Sequence, residues 1–509
     1  MGETSKNTCP CLRTLCERLF GSSKHDGVQN RDDNDSSAVR GSSKRNEGIE
    51  VPSNVRYALH PPKPAESAIY TAMWAFEARA DRELSFQEGD LFNITDRSGD
   101  WWTARKVDRN GRILATGIVP YNYLARREST DAMPWYFGEM NRIEASGHLM
   151  APENGEGAFL VRLSEKDDVG YVLSVKVDNK VKHFKIHQNE ELFNVNESAT
   201  FASLMDLVDH FMTSPLSISV ERLNSACRRN EPKPQDLSHS TVDEWELPKE
   251  EFTFGDQLGS GYFADVYRGK WKDQINVAIK VLKNNEALNH REFQLETQIL
   301  KRLRHKHLIT LFAICSSSPP YYIITELMEK GNLLDFLRGP EGGAMDMVFL
   351  IDMGAQVADG MAYLESQNSI HRDLAARNVL VGENYICKVA DFGLARVIKE
   401  PFYTSEDKKI PYKWCAPEAI SHGRFSSKSD VWSFGVLLYE IVTYGGTPYP
   451  ACSNSDVYQL ITSGYRMPAP PQCPEYIYEA MLSCWQCTPE DRTSFLDLKY
   501  ILESSYELE

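Results

Sequence analysis

The sequence predicts a multidomain chain in which a small all-β unit, an α+β unit and a larger α+β unit follow one another. Its 509 residues correspond to three or four domains at about 150 residues per domain. From Ile69 to Leu124, short alternating apolar strings are separated by Gly and Asp turns, as in a small β unit. Residues 135–225 mix strand-like runs with helical stretches. The last part of the chain opens with strands and becomes helix-rich after Leu333.

Composition and charge exclude several classes of protein. The chain is 25% charged, 42% hydrophobic and 11% aromatic, which argues against a collagen-like, coiled-coil or wholly disordered protein. The net charge of −16 argues against nucleic-acid binding as the main task, because that requires a basic surface. Aspartates interrupt the most apolar stretch, 345–364, so no membrane span is expected. We expect the eleven scattered cysteines to be free thiols in a reducing compartment.

The N-terminal region, 1–66, is predicted to be disordered. Residues 21–66 have no Phe or Trp and are dense in polar residues, so they cannot bury enough apolar surface to offset their ordering entropy. Myristoylation of Gly2 is unexpected because its motif requires Ser or Thr where this chain has Lys6. Palmitoylation of Cys9, Cys11 and Cys16 remains an alternative to a frayed tail. We expect a cytoplasmic protein, with pools at the inner face of the plasma membrane or in the nucleus left open.

An ordered series of short motifs dominates the second half of the chain. A glycine-rich loop, LGSGYFADV, spans 258–266, and Val-Ala-Ile-Lys follows at 277–280. His-Arg-Asp leads from 371 to Asn378, Asp-Phe-Gly begins at 391 and Ala-Pro-Glu ends at 418. The glycine loop alone would favour an ordinary hairpin turn, since no helix follows it as in a dinucleotide fold and no Gly-Lys-Ser/Thr marks a P-loop. The complete ordered set is the signature of a protein kinase.

Each motif residue type has a physical task in phosphoryl transfer, which needs positioning and charge neutralisation more than covalent chemistry. Gly259 and Gly261 allow backbone N–H groups to approach phosphates closely. Lys280, oriented by Glu296, supplies a point charge to the α- and β-phosphates. Asn378 and Asp391 supply oxygen atoms, which are the ligands that Mg²⁺ prefers. Asp373 aligns the attacking hydroxyl and accepts its proton.

The segment from Phe252 to Leu502 resembles a protein-tyrosine kinase domain. Ala375-Ala376-Arg377 stands where Ser/Thr kinases carry a Lys, and Pro411-Tyr412-Lys413-Trp414 matches the tyrosine-kinase pattern before the Ala-Pro-Glu triplet. The resemblance implies a two-lobed α+β kinase fold over 252–504, with the N-lobe ending near 328, and ATP with Mg²⁺ or Mn²⁺ as cofactors. It assigns catalytic roles to Asp373, Lys280, Glu296 and Arg377, metal ligation to Asn378 and Asp391, and ATP contacts to Leu258, Gly259, Ser260, Gly261, Val266, Ala278, Lys280, Thr325, Glu326 and Met328.

The same resemblance implies supporting contacts and a phosphorylation site. Glu418 should pair with Arg492, Asp430 should brace the catalytic loop, and Tyr403 occupies the activation-loop phosphorylation position, where Arg372 and Arg396 could bind its phosphate. An internal spine is expected from Leu300, Leu311, His371 and Phe392. Two positions depart from the family: Ala264 replaces the third glycine of the loop and Cys415 stands where Thr is usual. Ala264 is the one feature that favours the alternative function, a catalytically weak adaptor with a pseudokinase-like domain.

The second unit, 135–226, resembles an SH2 domain, which is an α+β fold. The resemblance begins at Trp135, includes the strand Ala158-Phe159-Leu160-Val161-Arg162 and extends through His183-Phe184-Lys185. A buried Arg offers a bidentate fork suited to the phosphate of phosphotyrosine. The resemblance therefore implies phosphotyrosine proteins as partners. The expected binding residues are Arg142, Arg162, Ser164, His183 and Lys185.

The first unit, 68–127, resembles an SH3 domain, a small β-barrel that binds proline-rich proteins. The similar segments are 72–76, 84–86, 99–102 and 119–123. Asp81 and Glu83 are expected to meet a basic residue of the ligand. The residues expected to line the groove are Trp74, Phe76, Trp101, Pro120 and Tyr123.

The order SH3, SH2, kinase is that of the Src-related non-receptor tyrosine kinases. The sequence is most similar to the Brk branch of that family, with the Frk and Srms branches next. In that branch a tail phosphotyrosine binds the SH2 domain and linker prolines bind the SH3 domain. Here the candidates are Tyr506 in the tail, 505–509, and Pro232 and Pro234 in the linker, 227–250. The resemblance implies tyrosine-containing protein substrates.

Overall fold

The computed structural model describes residues 68–164, 170–189, 192–195, 199–217, 222–242, 244–261, 264–283, 293–294, 296–391, 396–397 and 411–503. The predicted disordered segment 1–66, the activation-loop Tyr403, the tail Tyr506 and Phe392 of the predicted spine lie outside these residues. Within them, the predicted succession of a β-barrel unit, an α+β unit and a two-lobed kinase fold is confirmed.

The first unit is a single antiparallel sheet. Its five strands lie in the order β4-β3-β2-β1-β5, and every neighbouring pair is antiparallel. Alternating side chains such as Phe92 and Ala104 are fully buried on the inner face, as the period of two along a strand requires. The strands are β1 Ile69–Ala72, β2 Leu91–Asp96, β3 Trp101–Val107, β4 Ile113–Pro120 and β5 Leu124–Arg126.

The second unit packs two helices against a central sheet in the order β12-β7-β8-β9, with β6 also paired to β7. Helix α1 begins with a capping box, in which the Asn141 side chain accepts from two backbone N–H groups and Glu144 reciprocates. The elements are β6 Tyr136–Glu139, α1 Arg142–Met150, β7 Ala158–Leu163, β8 Tyr171–Val177, β9 Lys180–Lys185, β10 His187–Asn189, β11 Leu192–Asn194, α2 Leu204–Thr213 and β12 Ser225–Ala226.

The N-lobe of the third unit is a five-stranded sheet in the order β13-β14-β15-β17-β16. The apolar residues of β15 alternate with partly exposed ones, so Val277 and Ile279 are buried, while Lys280 lies on the other face of the strand. Residues 296–300 are helical and carry Glu296 beside the sheet. The strands are β13 Phe252–Ser260, β14 Ala264–Trp271, β15 Ile275–Leu282, β16 Leu311–Cys315 and β17 Tyr322–Glu326.

The C-lobe is built around two long buried helices. Helix α5 begins after Asp346, whose side chain caps it, and most of its length is buried in the C-lobe core. It is the one helix among the described residues that is long and apolar enough to cross a membrane. The elements are α3 Leu333–Arg338, α4 Pro340–Gly343, α5 Met347–Ser366, β18 Ser369–Ile370, β19 Val379–Val381, β20 Cys387–Val389, β21 Arg396–Val397, α6 Pro417–His422, α7 Ser427–Val442, α8 Asn454–Thr462, α9 Glu475–Cys484 and α10 Phe495–Glu503.

Candidate active site

A three-residue ionic contact joins the N-lobe to the segment that follows β20. The Nζ atom of Lys280 lies 2.8 Å from Oε1 of Glu296 and 2.9 Å from Oδ1 of Asp391. Burial alone would lower the pKa of Lys280, but the two carboxylates outweigh it and raise that pKa. The Lys280 ammonium in turn lowers the pKa of Asp391. At neutral pH this site therefore holds a protonated amine and an ionised carboxylate at its centre.

Asp373 is oriented by two donors of the catalytic loop. Its Oδ2 accepts from Nδ2 of Asn378 at 2.8 Å, and its Oδ1 accepts from Nη2 of Arg377. The Arg377 guanidinium also lies over the ring of Trp414, 4.6 Å from its centroid. Because the amide nitrogen of Asn378 is turned toward Asp373, the remaining amide atom is an oxygen, which is the atom that a hard cation binds.

Two buried carboxylates in helix α7 accept hydrogen bonds from the backbone of the catalytic loop. Asp430 accepts the backbone N–H groups of His371 and Arg372 at 2.7 and 2.9 Å, as the resemblance implied. Burial raises the pKa of Asp430 to about 6. Glu440, which the sequence reading missed, accepts from the N–H of Ala376 at 3.0 Å and from the indole of Trp414 at 2.9 Å. Its only signal in the sequence is an acidic residue within a nearly continuous apolar helix.

The glycine-rich loop joins β13 to β14 above this site. A Cβ added at Gly259 would meet no atom within 4 Å, whereas one at Gly261 would lie 3.4 Å from the Ala264 carbonyl oxygen. Lys283, also missed in the sequence, donates to the Ser260 hydroxyl at 3.0 Å and to the Gly261 carbonyl at 2.7 Å. Lys283, which lies outside the motif, thus holds the loop where β13 ends.

The other predicted ATP contacts lie on neighbouring strands of the N-lobe. Ala278 is directly opposite Thr325 in the β15–β17 ladder. The carboxylate of Glu326 is bonded to Lys388 at 2.7 Å and to the N–H of Thr310 at 2.8 Å, and its backbone N–H donates to the Thr310 carbonyl at 3.1 Å. Its contact with adenine stays a prediction. Met328 follows and is buried. Leu258 lies near the end of β13 and Val266 in β14, the strands that flank the loop.

The two residues that depart from the family pattern, Ala264 and Cys415, are both buried, and the predicted pair of Glu418 with Arg492 is present. Ala264 is 6% exposed and packs in the core, so its methyl group faces protein rather than phosphate. Cys415 is also buried, and burial raises the pKa of its thiol. Arg492 makes the predicted bidentate contact to Glu418, at 2.6 and 2.9 Å. The spine residues Leu300, Leu311 and His371 are buried.

The predicted phosphotyrosine site lies between α1 and the central sheet of the second unit. Arg162 is 4% exposed and donates through Nη1 to the Met140 carbonyl at 2.9 Å. His183 contacts two hydroxyl groups, Ser174 Oγ at 2.8 Å and Ser146 Oγ at 3.4 Å, and neither serine was predicted. Burial, followed by the charges of Arg142 and Arg162, lowers the pKa of His183 to about 3.

In the predicted phosphotyrosine site, the positive charge that acts on His183 therefore comes from Arg142 and Arg162. Arg142 is the first residue of α1, and its charge and that of Arg162 both act on the ring of His183. Lys185 ends β9 with an exposed side chain, and Ser164 directly follows β7. A buried guanidinium beside a second one is suited to a doubly charged phosphate ester.

The predicted proline-binding residues form one aromatic cluster in the first unit. Ring centroids of Phe76 lie 6.0 Å from Trp101 and 5.4 Å from Tyr123, and Trp74 lies 6.2 Å from Tyr123. Pro120 lines the same cleft. Phe76 and Tyr123 are also part of the core, at 5% and 2% exposure. The groove is thus the outer edge of the hydrophobic core.

Glu83 differs from the expectation that it faces a ligand's basic residue. It is 6% exposed, and its Oε2 accepts the backbone N–H of Arg79 at 2.7 Å. A buried carboxylate is stable only where donors satisfy it, and here the donors are backbone groups. Asp81 is exposed.

Comparisons with known proteins match a family to each of the three units. Residues 252–502 match the family described as protein tyrosine and serine/threonine kinase, residues 135–211 match the SH2 domain, and residues 71–120 match the SH3 domain. The chain is 49% identical to protein-tyrosine kinase 6 of Mus musculus over 84% of this chain and 94% of that protein. Its identity to protein-tyrosine kinase 6 of Homo sapiens is also 49%, over 86% and 97% respectively.

A second branch is similar at lower identity. Tyrosine-protein kinase FRK of Homo sapiens is 43% identical over 86% of this chain and 88% of that protein. The chain belongs to the Src-related non-receptor protein-tyrosine kinases. The predicted order of resemblance, the Brk branch first and the Frk branch next, is confirmed.

Membership of the Src-related kinases decides between enzyme and adaptor. The relatives are named tyrosine kinases, and Lys280 contacts both Glu296 and Asp391. The chain is therefore a protein-tyrosine kinase with SH2 and SH3 domains, and ATP binding follows from its kinase domain.

Proposed function

We propose that this kinase uses Mg-ATP to phosphorylate tyrosines of proteins that its SH2 and SH3 domains recruit, and that its own linker restrains it. The contact of Lys280 with both Glu296 and Asp391 is the observation that carries the catalytic part. That contact brings a phosphate-binding ammonium and a metal-binding carboxylate into one cleft.

The donor set fits a small, hard cation. The carboxylate of Asp391 and the amide oxygen of Asn378 are oxygen ligands of the kind that Mg²⁺ prefers, and the pKa of Asp391 is held low enough for ionisation at neutral pH. When held by these two residues, Mg²⁺ would neutralise charge on the nucleotide phosphates. Mn²⁺ accepts the same ligands.

The side chains prepare a phenol for attack on the γ-phosphate. Asp373, held by Asn378 and Arg377, accepts a hydrogen bond from the phenolic O–H and takes its proton as the new O–P bond forms. Lys280 holds the α- and β-phosphates in place. The leaving group is ADP, and the products are ADP and protein phosphotyrosine.

The restraint is supported by contacts between the linker and the SH3 unit. Pro234 lines the same cleft as Trp101 and Tyr123. The Arg79 guanidinium donates to the Leu237 carbonyl at 3.2 Å, and the N–H of His239 donates to Glu83 at 2.7 Å. These contacts occupy the groove that an external proline-rich segment would use.

The linker also contacts the kinase N-lobe. Asp236 pairs with Arg304 at 2.8 Å, and Arg304 lies over Trp245 at 5.8 Å. The backbone of Leu247 donates to the Ile314 carbonyl at 2.9 Å. Since Arg304 follows the helix that carries Glu296, a docked linker would limit the movement of that helix.

Phosphorylation of Tyr403 and Tyr506 completes the proposed regulation. A phosphate on Tyr403 would bind Arg372 and Arg396 and order the activation loop. A phosphate on Tyr506 would bind the SH2 site through Arg162. Tyr403→Phe should lower activity, and Tyr506→Phe should raise it in the presence of a kinase that modifies the tail; no change in either variant would refute that site's role.

We also propose a cytoplasmic location, with a pool at the inner face of the plasma membrane or in the nucleus. The free cysteines of the described residues are compatible with a reducing compartment. Fractionation of cells that express the chain with Cys9, Cys11 and Cys16 intact or replaced by Ser tests the membrane pool.

Phosphotransfer to a poly(Glu,Tyr) substrate tests the catalytic and linker parts together. The wild-type chain is compared in Mg²⁺ and Mn²⁺ with a chain that carries Pro232→Ala and Pro234→Ala. We expect phosphotyrosine in both chains and a higher initial rate in the variant. Equal rates would refute the linker restraint, and rates that are negligible in Mg²⁺ but high in Mn²⁺ would refute the choice of metal.

A further inference from the structure

The residue before the linker prolines makes a short polar contact with the SH3 groove. The phenolic O–H of Tyr123 donates to Oε1 of Glu231 at 2.7 Å, whereas its distance to the Pro232 carbonyl oxygen is 3.4 Å. A backbone carbonyl is present in every ligand and carries no side-chain selectivity. A carboxylate at this position depends on the ligand's sequence.

The environment of Tyr123 favours a negatively charged acceptor. The tyrosine is 2% exposed, so a hydroxyl group left without an acceptor would be costly. The guanidinium of Arg79 is close enough to attract both the hydroxyl group of Tyr123 and the carboxylate of Glu231. Arg79 itself is held against the ring of Phe76, 5.0 Å from its centroid. The groove therefore presents a hydroxyl donor and a cation at one end.

One of the two acidic residues expected to meet a ligand's basic side chain is already occupied by other donors. Glu83 accepts backbone N–H groups of Arg79 and His239 with its two oxygens. The basic residue between the linker prolines, Lys233, pairs instead with Glu383 at 3.3 Å. The charged linker side chain that contacts Tyr123 is thus an acid.

We propose that this SH3 groove selects proline-rich segments with a carboxylate directly before the first proline, of the form Glu/Asp-Pro-x-Pro. Partner proteins that displace the linker would carry the same arrangement. The inference rests on the proposed docking of the linker and adds the chemical class of the competing partner.

Peptide binding to the full chain tests the selectivity. The chain carries Pro232→Ala and Pro234→Ala, so that its groove is open, and the labelled probe copies residues 229–240. Three probes are compared by fluorescence anisotropy: the wild-type sequence, one with Glu231→Gln and one with Lys233→Gln as the matched control. We expect the Glu231→Gln probe to bind about tenfold more weakly, which corresponds to about 1.4 kcal/mol, and the Lys233→Gln probe to bind within twofold of the wild type.

The outcomes separate this inference from the docking on which it rests. Binding of all three probes with equal affinity would overturn the carboxylate selectivity and leave linker docking intact. Failure of every probe to bind would overturn both.

A second variant locates the selectivity. In a chain that also carries Tyr123→Phe, the difference between the wild-type and Glu231→Gln probes should fall below threefold, while the Glu231→Gln probe keeps its affinity. If Tyr123→Phe abolishes all binding, Arg79→Gln replaces it, and the preference for the carboxylate should again shrink. An undiminished preference in the variant used would overturn the assignment to this site.

Discussion

Individual side chains in this kinase derive their properties from burial and from one or two charged neighbours. Lys280 keeps its proton because Asp391 and Glu296 outweigh the cost of burying an ammonium group. Among the residues that the structure describes, no anion offsets the burial of His183, so burial and two arginines keep its pKa low. A bound phosphate would reverse that balance, because it supplies negative charge beside the ring.

Acid should destabilise the SH2 domain through His183. Its folded-state pKa of about 3 lies below the value of about 6.5 expected in an unfolded chain. Between these two values only the unfolded state binds the proton, so this site's contribution to the free energy of unfolding decreases as pH falls below 6.5. The loss is about 1.4 kcal/mol per pH unit. We expect His183→Gln to remove most of this acid sensitivity.

Hydrogen exchange in strand β8, corrected for the intrinsic pH dependence of exchange, measures the effect. His187→Gln, at an exposed position in β10, is the control and should retain the wild-type pH dependence. An equal loss of protection on acidification in the wild type and in His183→Gln would contradict the assignment.

Secondary-structure elements place the motif residues, and this part of the site could be read from the sequence. The alternation along β15 identifies the face of Lys280, and the ordered motifs identify Asp373, Asn378 and Asp391. The sequence could not identify the supporting side chains that only the tertiary fold brings into contact with the site residues. Lys283 meets the glycine loop only because of the β14–β15 register, in which Asp265 faces Val281.

The partners that the sequence did not predict share one physical feature, which is that each lies on a different element from the residue it contacts. Glu440 supports Ala376 from a helix 64 residues away, and no short motif encodes such a distance. Ser146 and Ser174 reach His183 from a helix and a strand that are separate in sequence. Residues of this kind are fixed by three-dimensional packing, whereas the motif residues are fixed by chemistry at short spacing.

Lys283 should position the glycine-rich loop over the phosphates. Besides its bonds to Ser260 and Gly261, it pairs with Asp265 at 2.9 Å, so its loss would free the loop and leave an uncompensated carboxylate near the phosphate site. We expect Lys283→Met to raise the KM for ATP several-fold with a smaller change in kcat. Steady-state kinetics with varied ATP measure both constants. Lys270→Met, at an exposed position in β14, is the control; an unchanged KM in Lys283→Met would refute the role.

Across the whole molecule, the linker connects the SH3 groove to the kinase N-lobe. Asp236 is 6% exposed and pairs with Arg304, and it lines the aromatic cleft together with Pro234. The Arg304 side chain is 39% exposed, so loss of the Asp236 carboxylate removes this contact with the linker without leaving a buried charge. The linker is thus placed to transmit occupancy of the SH3 domain to the helix that carries Glu296.

Asp236→Asn should weaken that connection and raise basal activity. We expect an increase of two- to fivefold in the initial rate of poly(Glu,Tyr) phosphorylation, without a change in the KM for ATP. Adding Pro232→Ala and Pro234→Ala should give no further increase, because both changes release the same linker. Asp209→Asn, at an exposed position in α2, is the control. A fully additive effect of the two changes would contradict a shared route.

The central claim is that Asp373 readies a tyrosine hydroxyl in a cleft where Lys280 and Asp391 hold the nucleotide. The direct measurement is phosphotyrosine formation by wild type and Asp373→Asn with Mg-ATP, alongside the affinity of each for ATP. We predict robust transfer by the wild type, a loss of at least about a hundredfold in kcat for the variant, and ATP affinities within threefold of each other. Equal rates for the two proteins, or no phosphotyrosine from the wild type, would contradict the account.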